Sequence, residues 1–209
     1  MTKYMSLLIE TIRLSDGIFN NLPYHEARMK RAWMELFGQS SSWSLTQILS
    51  KQEFPKTGLF KCRVTYDMKW KGVECIPYQS RDVQTLKLVY DDTIKYSHKF
   101  KDRKNLDRLF VQRGECDDVL IVRDGLVTDT SYANILLKKD GRWFTPASCL
   151  LPGTMRQCLI ERQGVVEREI KPIDLHRYEC FKLVNSMLMD AGREVPVNNI
   201  LQGLSNRRG

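Results

Sequence analysis

From Thr145 to Gly164 the chain reads TPASCLLPGTMRQCLIERQG. A strand-like pair, Trp143-Phe144, stands just before it. Leu151-Pro152-Gly153-Thr154 then turns the chain into a helix that begins at Thr154. The first N–H groups of a helix have no partner inside it, and the helix dipole makes that end weakly positive. A Pro-Gly turn opening onto a Thr at a helix start is therefore a place that can hold an anion. The rest of the sequence has to say which anion, and for what chemistry.

The chain has 209 residues, of which 42% are hydrophobic and 28% charged, the balance of an ordinary globular protein. No apolar run reaches the length of a membrane span, and MSLLIETIRL is short and broken by Glu10 and Arg13, so neither a membrane anchor nor a signal peptide is expected. The six cysteines are scattered and form no C-x-x-C pair, which reads as free thiols in a reducing cytoplasm, most of them buried. The three histidines, His25, His98 and His176, have the wrong spacing for zinc, and no metal is expected. The net charge of +8 is spread along the chain without a nucleic-acid motif. It reads as surface solvation or attraction for a small anion, and no nucleic-acid partner is expected. The tail NRRG is the one small basic cluster, at an end expected to fray.

The spacing of Tyr24 to Gly38 predicts a helix with Ala27, Trp33, Leu36 and Phe37 near one face. Ser44 can cap a short helix through Leu49. GLFKCRVTYD alternates cleanly and predicts a strand that buries Phe60, Cys62, Val64 and Tyr66. GVECIPY and DVQTLKLVY read as two further strands of the same antiparallel sheet. A helix follows from about Lys104 to Gly114. Then come DVLIV, LVTD, NILLK and RWFTP, short strands joined by the Asp-Gly turns RDG and KDG. After the Thr154 helix stand VVEREI, a short helix near Ile173 to His176, and the strand CFKLVNSMLM. The expectation is a two-lobed α/β (α+β) protein: a small lobe at 1–95 and a larger lobe at 96–209.

Four segments carry candidate chemistry in chain order: HEAR (His25 to Arg28), YSHKFKDR (Tyr96 to Arg103), VTDTSYAN (Val127 to Asn134) and LPGTMR (Leu151 to Arg156). With RWFTP and VVEREI around the last, they resemble the class IV aminotransferases, the fold-type-IV pyridoxal-phosphate enzymes that include branched-chain and D-amino-acid aminotransferases and aminodeoxychorismate lyase. The resemblance spans Asp16 to Val197 and is strongest from Asp117 onward. It implies a small α+β lobe, a larger lobe with a barrel-like sheet flanked by helices, pyridoxal 5'-phosphate as cofactor, a small amino substrate and a homodimer.

The resemblance also implies roles. Lys99 opens the K-x-x-[N/D]-R pattern of the lysine that joins the cofactor, and Lys101 and Arg103 are cations that could lower its pKa. Lys104 is the rival, since KNLDRL also looks like the helix after that lysine. Asp129, with Asn134 in E-x-x-x-x-N spacing, stands where the family has a Glu that keeps the pyridine nitrogen protonated. Gly153, Thr154 and Met155 supply the phosphate cradle, and Arg28 of H-x-x-R is the phosphate-binding arginine. Arg156 is expected to support the loop. Asn185 and Ser186 border the cofactor, in LVNSMLMDAGREVPV, a segment closer to the lyases than to the branched-chain enzymes. Arg63 is a guess for the substrate carboxylate.

Each residue also has a plainer reading. Lys99 can belong to a solvated basic run, Asp129 can flank a turn, and LPGT can be a capped helix. Arg28 can lie exposed on a helix, and Asn185 can end a strand. Two departures from the family pattern bear on the small lobe: a strand or two before LSDGIF is missing, and the hairpin between Asp16-Gly17 and His25 is shortened. The favoured activity is 4-amino-4-deoxychorismate lyase. A branched-chain or D-amino-acid aminotransferase is the alternative, and a non-catalytic relative that keeps the fold is the alternative of another class.

Overall fold

The structure, a computed structural model, describes residues 6–202, so the basic cluster at 206–209 lies outside the described residues. It is the expected mix of sheets and helices, and contacts divide it into two units. One holds residues 6–80 with His98–Asp102; the other holds Arg81–Ser97 with residues 103–202. The chain thus passes between units at three places, where the sequence suggested one boundary between 95 and 96.

The first unit is an antiparallel sheet with helices on one face. Its elements are β1 (Leu8–Ser15), β2 (Ile18–Phe19), α1 (Leu22–Phe37), α2 (Leu45–Leu49), β3 (Leu59–Tyr66) and β4 (Trp70–Pro77), with the strands in the order β2-β1-β3-β4. Strand β1 supplies what the sequence suggested was missing before LSDGIF. It escaped notice because its core face reads Leu8, Glu10, Ile12, Leu14, and the carboxylate breaks the apolar pattern. The Asp16-Gly17 turn takes positive φ at both residues, 47° and 78°, which favours Asp-Gly in a tight hairpin. Strand β3 buries Cys62, Val64 and Tyr66, as its alternation predicts.

Helix α1 starts at Pro23 near its N-terminus and stops at Gly38, whose φ is 68°. Its buried face is His25, Arg28, Met29, Ala32 and Trp33. This corrects the expected face, because Ala27 and Leu36 are exposed. Two polar residues in the buried stripe had hidden the true one. Ser44 caps α2 in a capping box with Gln47. Trp33, Trp43 and Tyr66 pack edge to face at 5.9 and 5.8 Å between centroids.

Cys62 and Cys75 lie directly opposite each other on β3 and β4 and form a disulfide. The expectation of six free thiols is corrected: Cys116, Cys149, Cys158 and Cys180 are free. Spacing in the sequence could not show the pairing, because the register of the two strands creates it.

The second unit contains β5 (Leu86–Tyr90), α3 (Lys104–Phe110), β6 (Asp118–Arg123), β7 (Leu126–Thr130), β8 (Asn134–Lys139), β9 (Arg142–Pro146), α4 (Thr154–Gln163), β10 (Val166–Arg168), β11 (Cys180–Val184), β12 (Val195–Pro196) and β13 (Ile200–Leu201). Two sheets form, in the orders β13-β5-β6-β7 and β10-β9-β8-β11-β12. They are joined at the β7–β8 corner, where Thr130 N–H donates to the Ala133 carbonyl at 2.9 Å. No ladder closes them into a barrel among the described residues. Strand β5 pairs parallel with β6 here, not with the antiparallel sheet of the first unit. Its Leu86 and Leu88 are buried in the core of the second unit. Asp124-Gly125 and Asp140-Gly141 make the expected tight turns, again with positive φ at both residues.

Strand β8 buries both faces. Ile135 and Leu137 join the core with Leu120, Val122, Phe181 and Leu183. Leu136 points the other way and packs with Met155, Leu159 and Val184 under α4. Each such side chain stabilises the fold by roughly 1.5–3 kcal/mol.

Gly153 sits at the N-cap of α4 with φ −69°, a value any residue tolerates. Its glycine is required by a close neighbour: an added Cβ would lie 2.0 Å from Asn134 Oδ1. Gly153→Ala should therefore lower stability by about 1–3 kcal/mol, as overpacking does. Gly72→Ala, where a Cβ meets nothing within 4 Å, is the control and should change stability by less than about 1 kcal/mol. Urea melts of both variants check this, and equal midpoints would refute the packing account. Thiol titration of unreduced protein in denaturant should find four thiols and, after reduction, all six. Six before reduction would show that the Cys62–Cys75 link does not form.

Candidate functional site

In the first unit the chemistry gathers around a carboxylate that no sequence motif had marked. Glu10 lies on the core face of β1, opposite Val64, with no exposed surface. Helix α1 crosses that face and sets His25 and Arg28, nearly one turn apart, against it. Arg28 pairs side-on: Nε donates to Glu10 Oε1 at 3.0 Å and Nη2 to Oε2 at 2.5 Å. His25 Nδ1 lies 2.6 Å from Oε2. Burial alone would push the Glu10 carboxyl up, but Arg28 and His25 outweigh it and hold the group at about 2. Glu10 is therefore ionised and can only accept, so the hydrogen between it and His25 belongs to Nδ1. Burial lowers the His25 pKa against the pull of Glu10, with Arg28 and Lys99 adding to the lowering. His25 is then a neutral imidazole at neutral pH, with Nε2 as its acceptor. Tyr66 completes the group from β3; burial raises its pKa first, Glu10 adds to the rise, and Arg28 opposes it.

Lys99 belongs to this unit. Its carbonyl accepts from Ile9 N–H at 2.9 Å, Phe100 bridges Leu8, and Lys101 N–H donates to the Leu7 carbonyl at 2.7 Å. The Lys99 segment is thus laid along the start of β1. Lys99 is half-buried, whereas Lys101 is exposed. Arg63 sits on the opposite face of β3 from Tyr66, in register with Thr11 and Glu74, away from the Glu10 group.

In the second unit the organising group is Asp129, fully buried near the end of β7. Its Oδ2 accepts from Leu150 N–H at 2.9 Å and Leu151 N–H at 3.0 Å, and its Oδ1 accepts from Asn134 Nδ2 at 2.7 Å. The same Asn134 amide donates to the Leu151 carbonyl at 2.9 Å. Asp129 and Asn134 therefore clamp the segment that leads into Gly153 and α4. Burial raises the Asp129 carboxyl to about 6, against the donors of Leu151 and Asn134 and the charge of Arg156. An ionised carboxylate has about four acceptor positions. Three are used here, which leaves Oδ1 room for one more donor.

Helix α4 begins with buried Thr154 and Met155, and Gly153 at its N-cap has no side chain with which to cap it. The start of α4 is a positive helix end presented on a turn that a buried acid holds in place. Arg156 supports the loop as expected: it is buried, and its Nη2 donates to the Pro146 carbonyl at 3.0 Å and to Glu167 at 2.5 Å. Arg103 Nη2 donates to the Ser131 carbonyl at 2.7 Å, which ties it to the β7–β8 corner. Lys104, the rival lysine, is the exposed first residue of α3 in this unit. Asn185 follows the last residue of β11 and folds back on the turn after it, its Oδ1 accepting from Met187 N–H at 2.8 Å and Leu188 N–H at 2.9 Å. Its carbonyl oxygen is thus spent on a turn, and Ser186 stands in that turn.

The structure therefore brings Arg28 and Lys99 into one unit with Glu10, His25 and Tyr66. It brings Asp129, Asn134, Gly153, Thr154 and Met155 together in the other. Glu10 and Tyr66 were missed by sequence reasoning. A Glu at a core position of an otherwise apolar alternation, three residues before Arg13 on the other face, is the only signal that could have pointed to Glu10. Tyr66 looked like one more core aromatic.

Comparison with known proteins agrees with this arrangement of motifs. Residues 7–195 match the sequence model of the family described as Amino-transferase class IV. An uncharacterised protein of Haemophilus influenzae is 32% identical over 183 residues, covering 86% of this chain and 97% of that protein. A crystal structure from Haemophilus somnus 129pt, called a "putative 4-amino-4-deoxychorismate lyase", is 34% identical with a TM-score of 0.82, covering 88% of this chain and 98% of the other. The PLP-bound form of a hypothetical aminotransferase from Mycobacterium tuberculosis shares the fold at 18% identity with a TM-score of 0.71, over 91% of this chain and 80% of the other. With the family's match running through nearly every element described above, this chain belongs to the class IV aminotransferases.

Proposed function

We propose that this chain is a pyridoxal-phosphate enzyme that releases pyruvate and 4-aminobenzoate from 4-amino-4-deoxychorismate. The cofactor assignment is supported by the family and by the PLP-bound neighbour. The lyase assignment is supported by the Haemophilus somnus structure's name and by the segment around Asn185. One observation carries the reading. Asp129 and Asn134, spaced as E-x-x-x-x-N, are hydrogen-bonded to the very segment that opens into Gly153-Thr154. Two short motifs, each weak alone, are one structure.

The residues present fit the cofactor's chemistry. The start of α4, with Gly153 at its N-cap and the Thr154 hydroxyl and the Thr154 and Met155 N–H groups beside it, suits a phosphate dianion. Arg28 of the first unit, held in place by Glu10, is assigned to a phosphate by its H-x-x-R pattern. Asp129 retains one acceptor position for a ring N–H, and as an anion it favours a protonated ring nitrogen. Asn185 and Ser186 are assigned to the border of the cofactor, Asn185 by fixing the turn that carries Ser186. When bound, pyridoxal phosphate supplies an aldehyde that takes the substrate's amino group and a ring that accepts electrons. Lys99 then acts through Nζ: as base it takes the proton from the carbon bearing the amino group, and as acid it returns it. In the lyase reaction the C–O bond to the enolpyruvyl group breaks, that group takes up the proton on carbon and leaves as pyruvate, and the remaining ring becomes aromatic. Returning the proton elsewhere and releasing a keto acid would be the aminotransferase outcome. A homodimer is the proposed assembly.

Purified protein with added pyridoxal phosphate should show absorbance at the violet edge that Lys99→Ala lacks and Lys104→Ala keeps. Lys99→Ala should also lose at least about 100-fold in rate, the lower end of what a general acid–base contributes. A wild type without the band would leave the non-catalytic reading. A coupled assay of pyruvate release from 4-amino-4-deoxychorismate, set against keto-acid formation from L- and D-amino acids, decides between lyase and aminotransferase. The pH profile tests Asp129. Its carboxyl, raised by burial to about 6, must be ionised to hold the ring proton, so kcat/KM should fall as the pH drops through about 6. Asp129→Asn should abolish that acid limb; an unchanged limb would assign it to another group.

A further inference from the structure

In the chemistry just described Glu10 serves only to hold Arg28, yet it is wholly enclosed within its unit. Both its oxygens are taken by the same two side chains. Arg28 occupies Oε1 and Oε2 from the side, and His25 occupies Oε2. A side-on pair uses Nε–H and one Nη2–H of the guanidinium's five N–H groups, and it locks the plane of the fork. The two hydrogens of Nη1 then point in a direction that the carboxylate dictates. The same carboxylate dictates the tautomer of His25. With an acceptor-only partner at Nδ1, the imidazole must carry its hydrogen there and present a lone pair at Nε2. The charged groups around that imidazole are Glu10 from β1, Arg28 from its own helix and Lys99 from the 98–102 segment. Tyr66 adds its phenol from β3 to the field of Glu10 and Arg28.

We propose that Glu10 is a positioning residue for the reaction: it fixes the plane of the Arg28 guanidinium, the group assigned above to the phosphate, and holds His25 as the Nδ1–H tautomer in the neighbourhood of Lys99. The inference rests on the functional reading above for the phosphate, but not for the tautomer. Gln in place of Glu10 makes the point testable. A Gln side chain has one acceptor oxygen, whereas Arg28 and His25 together need two. With Arg28 on that oxygen, the amide NH2 faces Nδ1 and drives His25 to the Nε2–H form. Asp keeps both oxygens and shortens the reach.

The experiment uses protein labelled with 15N-histidine, without cofactor, as wild type, Glu10→Gln and Glu10→Asp. Long-range 1H–15N spectra between about pH 6 and 8, the range in which an ordinary histidine titrates, should show wild-type His25 as an Nδ1–H imidazole that takes up a proton at lower pH than an ordinary histidine. Glu10→Gln should show the Nε2–H form, and Glu10→Asp should restore the wild-type pattern. In parallel, affinities for pyridoxal phosphate and for pyridoxal, which lacks the phosphate, are measured by difference absorbance. Glu10→Gln should lower the preference for the phosphorylated form roughly 10- to 100-fold, the usual loss when a supporting partner of a ligand-binding group is removed. Glu10→Asp should recover part of it. A merely structural Glu10 would weaken both ligands alike and leave their ratio unchanged, and that result overturns the proposal. So does a wild-type His25 already in the Nε2–H form, a measurement that needs no variant and stands even if Glu10→Gln fails to fold. A wild type that takes up neither pyridoxal nor its phosphate overturns the functional reading and the phosphate arm together, while the tautomer still tests the Glu10–His25 hold.

Discussion

A carboxylate taken out of water has to be met by donors or give up its charge, and each unit of this protein buries one at its candidate site. Glu10 and Asp129 are both enclosed, but they are answered differently. Glu10 is met by a guanidinium and an imidazole, and its carboxyl is held down to about 2. Asp129 is met mainly by neutral amides, from Leu150, Leu151 and Asn134, and burial carries it up to about 6. The local structure of each unit follows from these answers. Helix α1 must bring Arg28 and His25 to the face of β1, and the loop before α4 must bend so that two successive N–H groups reach one oxygen.

The two solutions give two kinds of group. Glu10 is held in its charged form by Arg28 and His25, and stays fixed, because either partner lost would leave an uncompensated charge in the core. That suits a scaffold for other residues. Asp129 sits near the edge of its own titration, with one acceptor position unused. That suits a group whose business is with a proton.

Much of the fold was legible in particular residues. The three Asp-Gly turns, the alternation of Phe60 to Tyr66, the Ser44 cap and the Thr154 helix start are local signals, and local sterics and hydrogen bonding suffice to read them. The family was legible as well, because the motifs at 96–103, 129–134 and 151–156 that carry the resemblance are runs of adjacent residues. What escaped was non-local. Strand β1 and Glu10 were hidden by the very carboxylate that matters, since apolar periodicity has no way to mark a charge that is buried because two partners arrive from another element. The face of α1 was misjudged for the same reason: His25 and Arg28 count as polar in any pattern, yet they are buried. The placement of β5 beside β6, and of Cys75 opposite Cys62, depends on strand pairing across long stretches of chain.

The amino-acid sequence by itself determined most of the secondary elements, the Asp-Gly turns between them and the family. These rest on interactions between residues a few positions apart, which every local stretch carries with it. Only the tertiary structure decided that Arg28 is held by Glu10 rather than exposed to solvent. It also decided that Gly153 is a glycine because Asn134 lies against it, and that Asp129 shapes the start of α4. Those outcomes are set by desolvation, and how much water a group loses is known only once the distant parts of the chain have packed around it.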